Sequence, residues 1–353
     1  MLKEISVMVN LAGYFEELRS AIEPDSTYQK HAQKADDPVR EHLRTHSSFA
    51  DRHVNTFLYG SYPRDTAVGN IKDVDIVVVT NYTTHASPVD VLDKLKGSLG
   101  HLYRGPDLAD QRRSIRVDRP LPEIPDATLT LDVIPAIYQG RPDDPLWVPD
   151  RDKRTWIPSH PRGHMAHTSS LNSRSHQGRY FVPAVKMMKW WWKRQFELKR
   201  TGVESHRRKP KGFWIETMAG QYADLSKQSY PELITSLLAN AFGAFKVFRT
   251  SGRIPDLKDP GLDGGVIKTS ITEEEFAFFL NTLEESLDTA REALGAYSES
   301  RAQGLWQKLF GSKAEIAASL KGGGSLLKPA AAPGGLRFPD RPVAPRDPGG
   351  FAA

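Results

Sequence analysis

The stretch FLYGSYPRDTAVGNIKDVDIVVV, Phe57–Val79, places two acidic residues at the mouth of an apolar run. Asn55–Tyr59 and Val74–Val79 are short and rich in β-branched and aromatic residues, which favours two strands. Gly60-Ser61 ends the first, and Asp73 and Asp75 open the second. Residues two apart on a strand share a face, so both carboxylates converge on one point. Like charges held together raise each other's pKa unless a cation neutralises them. Magnesium suits an all-oxygen ligand set of one or two carboxylates plus substrate phosphates. Glycine lets the backbone approach a ligand closely. A helix starting just after it would turn free N–H groups toward phosphate oxygens, and Ser61 adds a hydroxyl. The expectation is a metal-dependent site for a nucleoside triphosphate. A third carboxylate, Asp132 in LTLDVIPA, lies on another expected strand and could complete a two-metal site.

Working outward from this stretch, residues 5–47 read as helical, with Val7, Leu11, Phe15 and Leu18 at helical spacing and a polar second segment over Thr27–Thr45. Pro88–Leu99 reads as a helix. Ser114–Asp118 and Leu129–Ile134 alternate as strands, and Tyr138–Arg162 reads as loops or short strands. From His164 the chain is expected to be helical, over Met165–Arg174, Val182–Lys199, Gly212–Asp224, Pro231–Phe248, Thr272–Tyr297 and Ser300–Phe310. Thr272 and Glu275 supply a capping box. The fold class is therefore α+β, with a small mixed sheet followed by a helical bundle. The expected division is residues 1–160, 161–321, and a Gly/Pro/Ala-rich tail over 322–353 that is too poor in apolar residues to order itself.

Composition sets outer limits. The chain has 353 residues, a net charge of +5 and no cysteine. Disulfides, zinc–thiolate sites and thiol catalysis are excluded. The mild basic excess suits a phosphate-rich partner without demanding one, so no nucleic-acid activator is indicated. No apolar run approaches a membrane span of about 20 residues, and the N-terminus has no signal-peptide pattern. The expectation is a cytoplasmic protein without membrane contact.

At this point the motifs resemble a known family. YGSYPRDTAV, DVDIVVV and LTLDVIPA together resemble the nucleotidyltransferase signature of the DNA polymerase β superfamily. The resemblance implies that Asp73 and Asp75 bind both metals, Mg2+ or Mn2+. It implies that Asp132 is the third ligand and helps deprotonate the attacking hydroxyl. AVKMMKWWWK and KPKGFWIETMA are similar to the helical half of the bacterial relatives of cyclic GMP-AMP synthase and oligoadenylate synthase, the CD-NTases of CBASS anti-phage systems. The likeness spans about residues 50–312, with a polymerase β-like core closed by a helical domain. It implies a cyclic di- or oligonucleotide synthase using ATP, and GTP or other triphosphates. Its product, rather than direct contact, would reach an effector. Lys211-Gly212 stands where many of these relatives carry a serine.

Within AVKMMKWWWK, Met187, Met188, Trp191 and Trp192 form one arc of a helix, with Lys186, Lys189 and Lys193 opposite. The lysines read either as a solvated basic face or as a contact to triphosphate. The resemblance selects Lys189 for the latter role. His160, His164 and His167 crowd the start of the helical half, where they read as helix-end hydrogen bonders or, with no third ligand nearby, half a metal site. ESHRRKPK, Glu204–Lys211, reads as a solvated loop or as a stripe for a macromolecular acceptor. The alternatives for the chain are nucleotide addition to an RNA end or to a protein, and a non-catalytic sensor. Intact carboxylates disfavour the sensor. The tail, ending DPGGFAA, reads as a free terminus or as the handle for an accessory protein of the CBASS type.

Overall fold

A computed structural model describes residues 10–124, 127–141, 144–199 and 208–321. The tail over 322–353, the N-terminal positions up to 9, and residues 204–207 of the basic run lie outside the described residues.

Three helices come first: α1 Ala12–Ile22, α2 Ser26–Gln33 and α3 Asp36–Thr45. The polar segment expected as one helix is thus two. Pro38 explains the restart, since proline is tolerated in the first turn of a helix but not in its interior. Strands β1 His53–Tyr59 and β2 Asp73–Thr80 follow, then α4 Pro88–Leu99, started by the Ser87 hydroxyl accepting from the Asp90 N–H. Next come β3 Leu108–Asp110, β4 Ile115–Pro120, β5 Thr128–Ile137, β6 Leu146–Asp150 and β7 Thr155–Ser159. They form one seven-stranded sheet with β1, β2, β5, β4 and β3 side by side, and β6 and β7 attached to the end of β5. Only β2 and β5 are parallel; the remaining pairs are antiparallel. Their crossover contains α4, as parallel pairing requires.

Alternation along the central strands decides where everything sits. Val74, Ile76 and Val78 of β2, with Leu129, Leu131 and Val133 of β5, pack on α3 and α4. Val77, Val79, Ile134 and Ala136 face the other way and pack with Tyr59, Leu146 and Val148. By the same period-two rule, Asp73, Asp75 and Asp132 belong to this second face, at the end where the apolar residues stop.

The helical half comprises α5 Pro161–Arg174, α6 Phe181–Lys199, α7 Gly212–Tyr222, α8 Tyr230–Phe245, the single turn α9 Phe248–Ser251, the hairpin β8 Leu257–Lys258 and β9 Val266–Ile267, then α10 Glu273–Leu294, α11 Glu299–Phe310 and α12 Lys313–Lys321. The helix expected to reach Phe248 stops at Phe245, and the following turn is closed by Gly252 at φ +64°. The capping box at α10 forms, with Thr272 and Glu275 exchanging both hydrogen bonds. Helix α6 is the axle. Its first N–H groups are held by Ser175 and Asn172, and it is buried on nearly every side. A solvated basic face is therefore corrected: Lys186 is only 2% exposed and pairs with Glu23 and Asp65, each at 2.7 Å. Helix α1 also buries Phe15, Leu18 and Ile22 in the helical core. Among the described residues, no helix is long and apolar enough to cross a membrane.

Candidate active site

The in-register pairing of β2 and β5 sets Asp75 beside Asp132 and Asp73 beside Thr130. The three carboxylates, Gly60, Ser61 and Lys189 all line one cleft of about 520 Å3. The six residues singled out in the sequence therefore line one cleft, although they come from the turn after β1, the start of β2, the middle of β5 and a distant helix.

Gly60 ends β1 at φ +89° and lies against Asp75, where a Cβ would stand 2.0 Å from Oδ2. Both the backbone angle and the space demand glycine. The segment after it is a turn, so a helix start is not what would meet a phosphate here. The Thr66 N–H closes back on the Ser61 carbonyl at 2.8 Å, and Asp65 adopts φ +55°, which no continuing right-handed helix allows. Any phosphate contact here comes from turn N–H groups and the Ser61 hydroxyl.

The carboxylates are charged at a cost. Burial, then Asp132, raises Asp75 to about 7, with Arg64 opposing. Burial, then Asp73, raises Asp132 to about 6, with Arg116 opposing. Asp132 Oδ1 is buried without a hydrogen-bond partner. Such a group needs a proton or a cation.

Across the cleft stand cations. Lys189 Nζ donates to Glu216 at 2.7 Å and to the Thr66 carbonyl and hydroxyl at 3.1 and 3.0 Å. Arg64 donates to the same carboxylate from Nε at 2.7 Å, while its buried Nη1 has no partner. Thr66 and Thr168 hydroxyls complete the shell of Glu216. Burial opposes the charge on Glu216, but Arg64 and then Lys189 outweigh it and hold the carboxyl well below its usual range. Burial, with Arg64 nearby, lowers Lys189 although Glu216 supports its charge. Lys72, Arg116 and Lys211 add further cations to the wall. The sequence reading missed Arg64 and Glu216. The signal for Glu216 was present: it is the only charged residue in the apolar helix GFWIETMAGQY.

His160 and His164 hydrogen-bond at the start of α5, as one of the two readings expected, though to other elements rather than to the helix end itself. His164 is buried, with Nδ1 2.7 Å from the Tyr59 hydroxyl and Nε2 2.8 Å from Asp259 Oδ1. His160 Nδ1 faces the Gly261 carbonyl at 2.7 Å. Among the described residues, no group of three His, Cys, Asp or Glu stands as a formed metal site, Asp73, Asp75 and Asp132 included; what the three carboxylates share is the β2–β5 pairing and one cleft.

Residues 9–172 match the Second Messenger Oligonucleotide or Dinucleotide Synthetase domain. The cyclic AMP-AMP-AMP synthase of an Acinetobacter species is 33% identical over 351 residues, covering 96% of each chain. The cyclic AMP-AMP-GMP synthase of Enterobacter hormaechei is 25% identical over 399 residues, covering 98% of this chain and all of that one. The CD-NTase CdnG of Bradyrhizobium diazoefficiens, solved with GTP, superposes with a TM-score of 0.67 at 14% identity, covering 88% of this chain and 98% of that one. The chain belongs to the CD-NTase family of cyclic oligonucleotide synthases, nucleotidyltransferases that build cyclic second messengers from nucleoside triphosphates.

Proposed function

We propose that the chain condenses ATP into a cyclic trinucleotide in the cytoplasm as an anti-phage signal, with Asp73, Asp75 and Asp132 holding magnesium. The single observation that supports this most is the meeting of three in-register carboxylates with the Gly60-Ser61 turn and the Lys189–Arg64 wall in one cleft. The kinship to a cyclic AMP-AMP-AMP synthase favours adenine nucleotides. The more distant kinship to cyclic AMP-AMP-GMP synthases makes GTP the second substrate to test.

The residues fit the metal by their chemistry, although they are not drawn together as a formed site: all-oxygen donors, an orphaned buried Asp132 oxygen, and carboxyls raised by burial and by one another. Magnesium bound there supplies Lewis-acid polarisation of the triphosphate and acidifies the attacking hydroxyl. The protein does the rest by placement. The cleft is lined from one side by the sheet and its loops and from the other by α6 and the start of α7, in the helical half on which α1 also packs. The Gly60-Ser61 turn and Ser61 hydroxyl take the terminal phosphates. Lys189, steadied by Glu216, and Arg64, whose buried Nη1 has no partner, set positive charge beside the leaving pyrophosphate. Asp132 takes the acceptor hydroxyl proton. The hydroxyl oxygen bonds to the α-phosphorus, the bond to the β-phosphate oxygen breaks, and pyrophosphate leaves.

Incubation with four labelled triphosphates and Mg2+, phosphatase treatment and mass spectrometry test this. A phosphatase-resistant small product, absent from the Asp73→Ala/Asp75→Ala chain, is the expected result. No such product would turn attention to a macromolecular acceptor.

A further inference from the structure

Two features of the sequence have no place in the chemistry above: the histidines at the start of α5 and the DPGLDGG loop after β8. The structure joins them under the cleft. Tyr59 is the last residue of β1, adjacent to Gly60 and opposite Asp75 in the β1–β2 register. Its hydroxyl meets His164 Nδ1 at 2.7 Å, and His164 Nε2 meets Asp259 Oδ1 at 2.8 Å. A carboxylate only accepts, so Nε2 carries a proton, and in the neutral imidazole Nδ1 then accepts the Tyr59 O–H. The Gly261 N–H also donates to Asp259 Oδ1 at 2.8 Å, and Gly261 leaves no room for a Cβ, which would stand 2.6 Å from His164 Cδ2. His160 closes on the same loop through the Gly261 carbonyl. Tyr59, His164 and Asp259 are all buried, at 5, 1 and 7% exposure.

Buried polar bonds of this kind fix geometry; here Asp259 Oδ1 accepts both from His164 and from the Gly261 N–H, while Oδ2 is buried without a partner. This chain of bonds runs from the sheet through α5 to the β8–β9 loop. Its sheet end lies beside the phosphate turn and the Asp75 ligand. Arg64 stacks its guanidinium on the Tyr59 ring at 5.2 Å, which ties the cation wall to the same residue. None of the three side chains needs to touch the reacting phosphorus.

We propose that His164 is a positioning residue: by bridging Tyr59 and Asp259 it fixes the Gly60-Ser61 turn and Asp75 against the helical half of the cleft. The effect falls on the alignment of bound substrate rather than on its affinity. The inference rests on the synthase activity proposed above. Its test uses the full chain with Tyr59→Phe, Asp259→Asn and the two combined. Each single variant is expected to lower kcat about tenfold, the range seen when a group that orients a ligand is removed. KM for ATP should stay within about twofold, because Lys189 and Arg64 are untouched. The double variant should lose no more than the worse single one, since both act through one imidazole.

Unchanged kcat in Tyr59→Phe, or losses that multiply in the double variant, would overturn the proposal. So would a fall that vanishes when the assay is run well below the melting temperature. Histidine 15N NMR of the free protein provides a readout independent of turnover. His164 should show the Nε2-protonated tautomer, and its Nδ1 resonance should move in Tyr59→Phe. An Nδ1-protonated ring also overturns the proposal. A wild-type chain that makes no product but shows this tautomer would refute the proposed activity and leave the hydrogen-bonded bridge standing.

Discussion

At the scale of single residues, the cleft is governed by how closely Gly60 and Asp75 approach. A methyl group on Gly60 would meet Asp75 Oδ2 at 2.0 Å, at a φ of +89° that strains any L side chain. Gly60→Ala should therefore displace either the phosphate turn or the carboxylate. The expected outcome is a loss of kcat of about 100-fold or more, equivalent to about 3 kcal/mol of transition-state stabilisation, with a native circular dichroism spectrum. The carboxyls also set the pH response. Asp75 is raised to about 7 and Asp132 to about 6, so protons would compete with the magnesium proposed there below neutrality. The half-saturating Mg2+ concentration should fall as pH rises from about 6 to 8, and titrations of activity against Mg2+ at fixed pH read it directly. The stability sign is opposite in the metal-free protein. A carboxyl whose folded pKa is raised binds protons more tightly folded than unfolded, so stability falls as pH rises from about 4 to 7. Added Mg2+ should raise the melting temperature more at pH 8 than at pH 6. An equal shift at both would show that these carboxyls do not bind the ion.

At the scale of elements, α7 is what makes α6 usable as part of a site. Its one acidic residue, Glu216, faces Arg64 and Lys189 in a buried setting, with both side-chain partners within 2.7 Å. Removing one partner of a buried ion pair leaves an uncompensated charge and costs about 3–5 kcal/mol. Glu216→Gln should thus lower the midpoint of urea unfolding and raise KM for ATP, because Lys189 loses the group that holds its amine in the cleft. Lys189→Met should raise KM as well while costing less stability, since Glu216 keeps Arg64. Equal destabilisation by the two would contradict the hub. The same elements show how far the sequence could be read. Strands β2 and β5 and their carboxylates were legible because a two-residue period and an acidic break in a β-branched run are local signals. Helix α6 was legible as a helix, but its lysine side was misjudged. Amphipathic spacing tells which residues differ, and not whether the polar side meets water or the Glu23, Asp65 and Glu216 of other elements. The Tyr59–His164–Asp259 contact was out of reach for the same reason: its members lie on β1, α5 and the β8–β9 loop, and no spacing in the chain encodes their meeting.

At the scale of the whole molecule, the two halves are held together at both termini of the described chain as well as across the cleft. Helix α1 buries its apolar side in the helical core, and the Tyr14 hydroxyl donates to the Gly311 carbonyl at 3.1 Å. Helix α12 then lies on α1, with Ile316 buried and Glu315 paired to Arg194 at 3.0 Å. Its Leu320 reaches Gly69, whose N–H donates to the Ile22 carbonyl at 2.8 Å on the approach to Asp73. The short amphipathic α12, missed in the sequence, is thus a strap between the helical half and the loop that feeds the carboxylate strand. A chain ending at Lys321 keeps this strap and should make the same product at the same rate as the full chain. A chain ending at Gly311 loses it, together with the buried Ile316, whose truncation alone would cost about 2–5 kcal/mol. It should melt at a lower temperature and require more Mg2+, because the Gly69 loop is no longer pinned beside β2. If the Lys321 chain also lost activity in the purified assay, residues beyond it would belong to the catalytic unit. If it lost only its function in cells, they would serve a partner there.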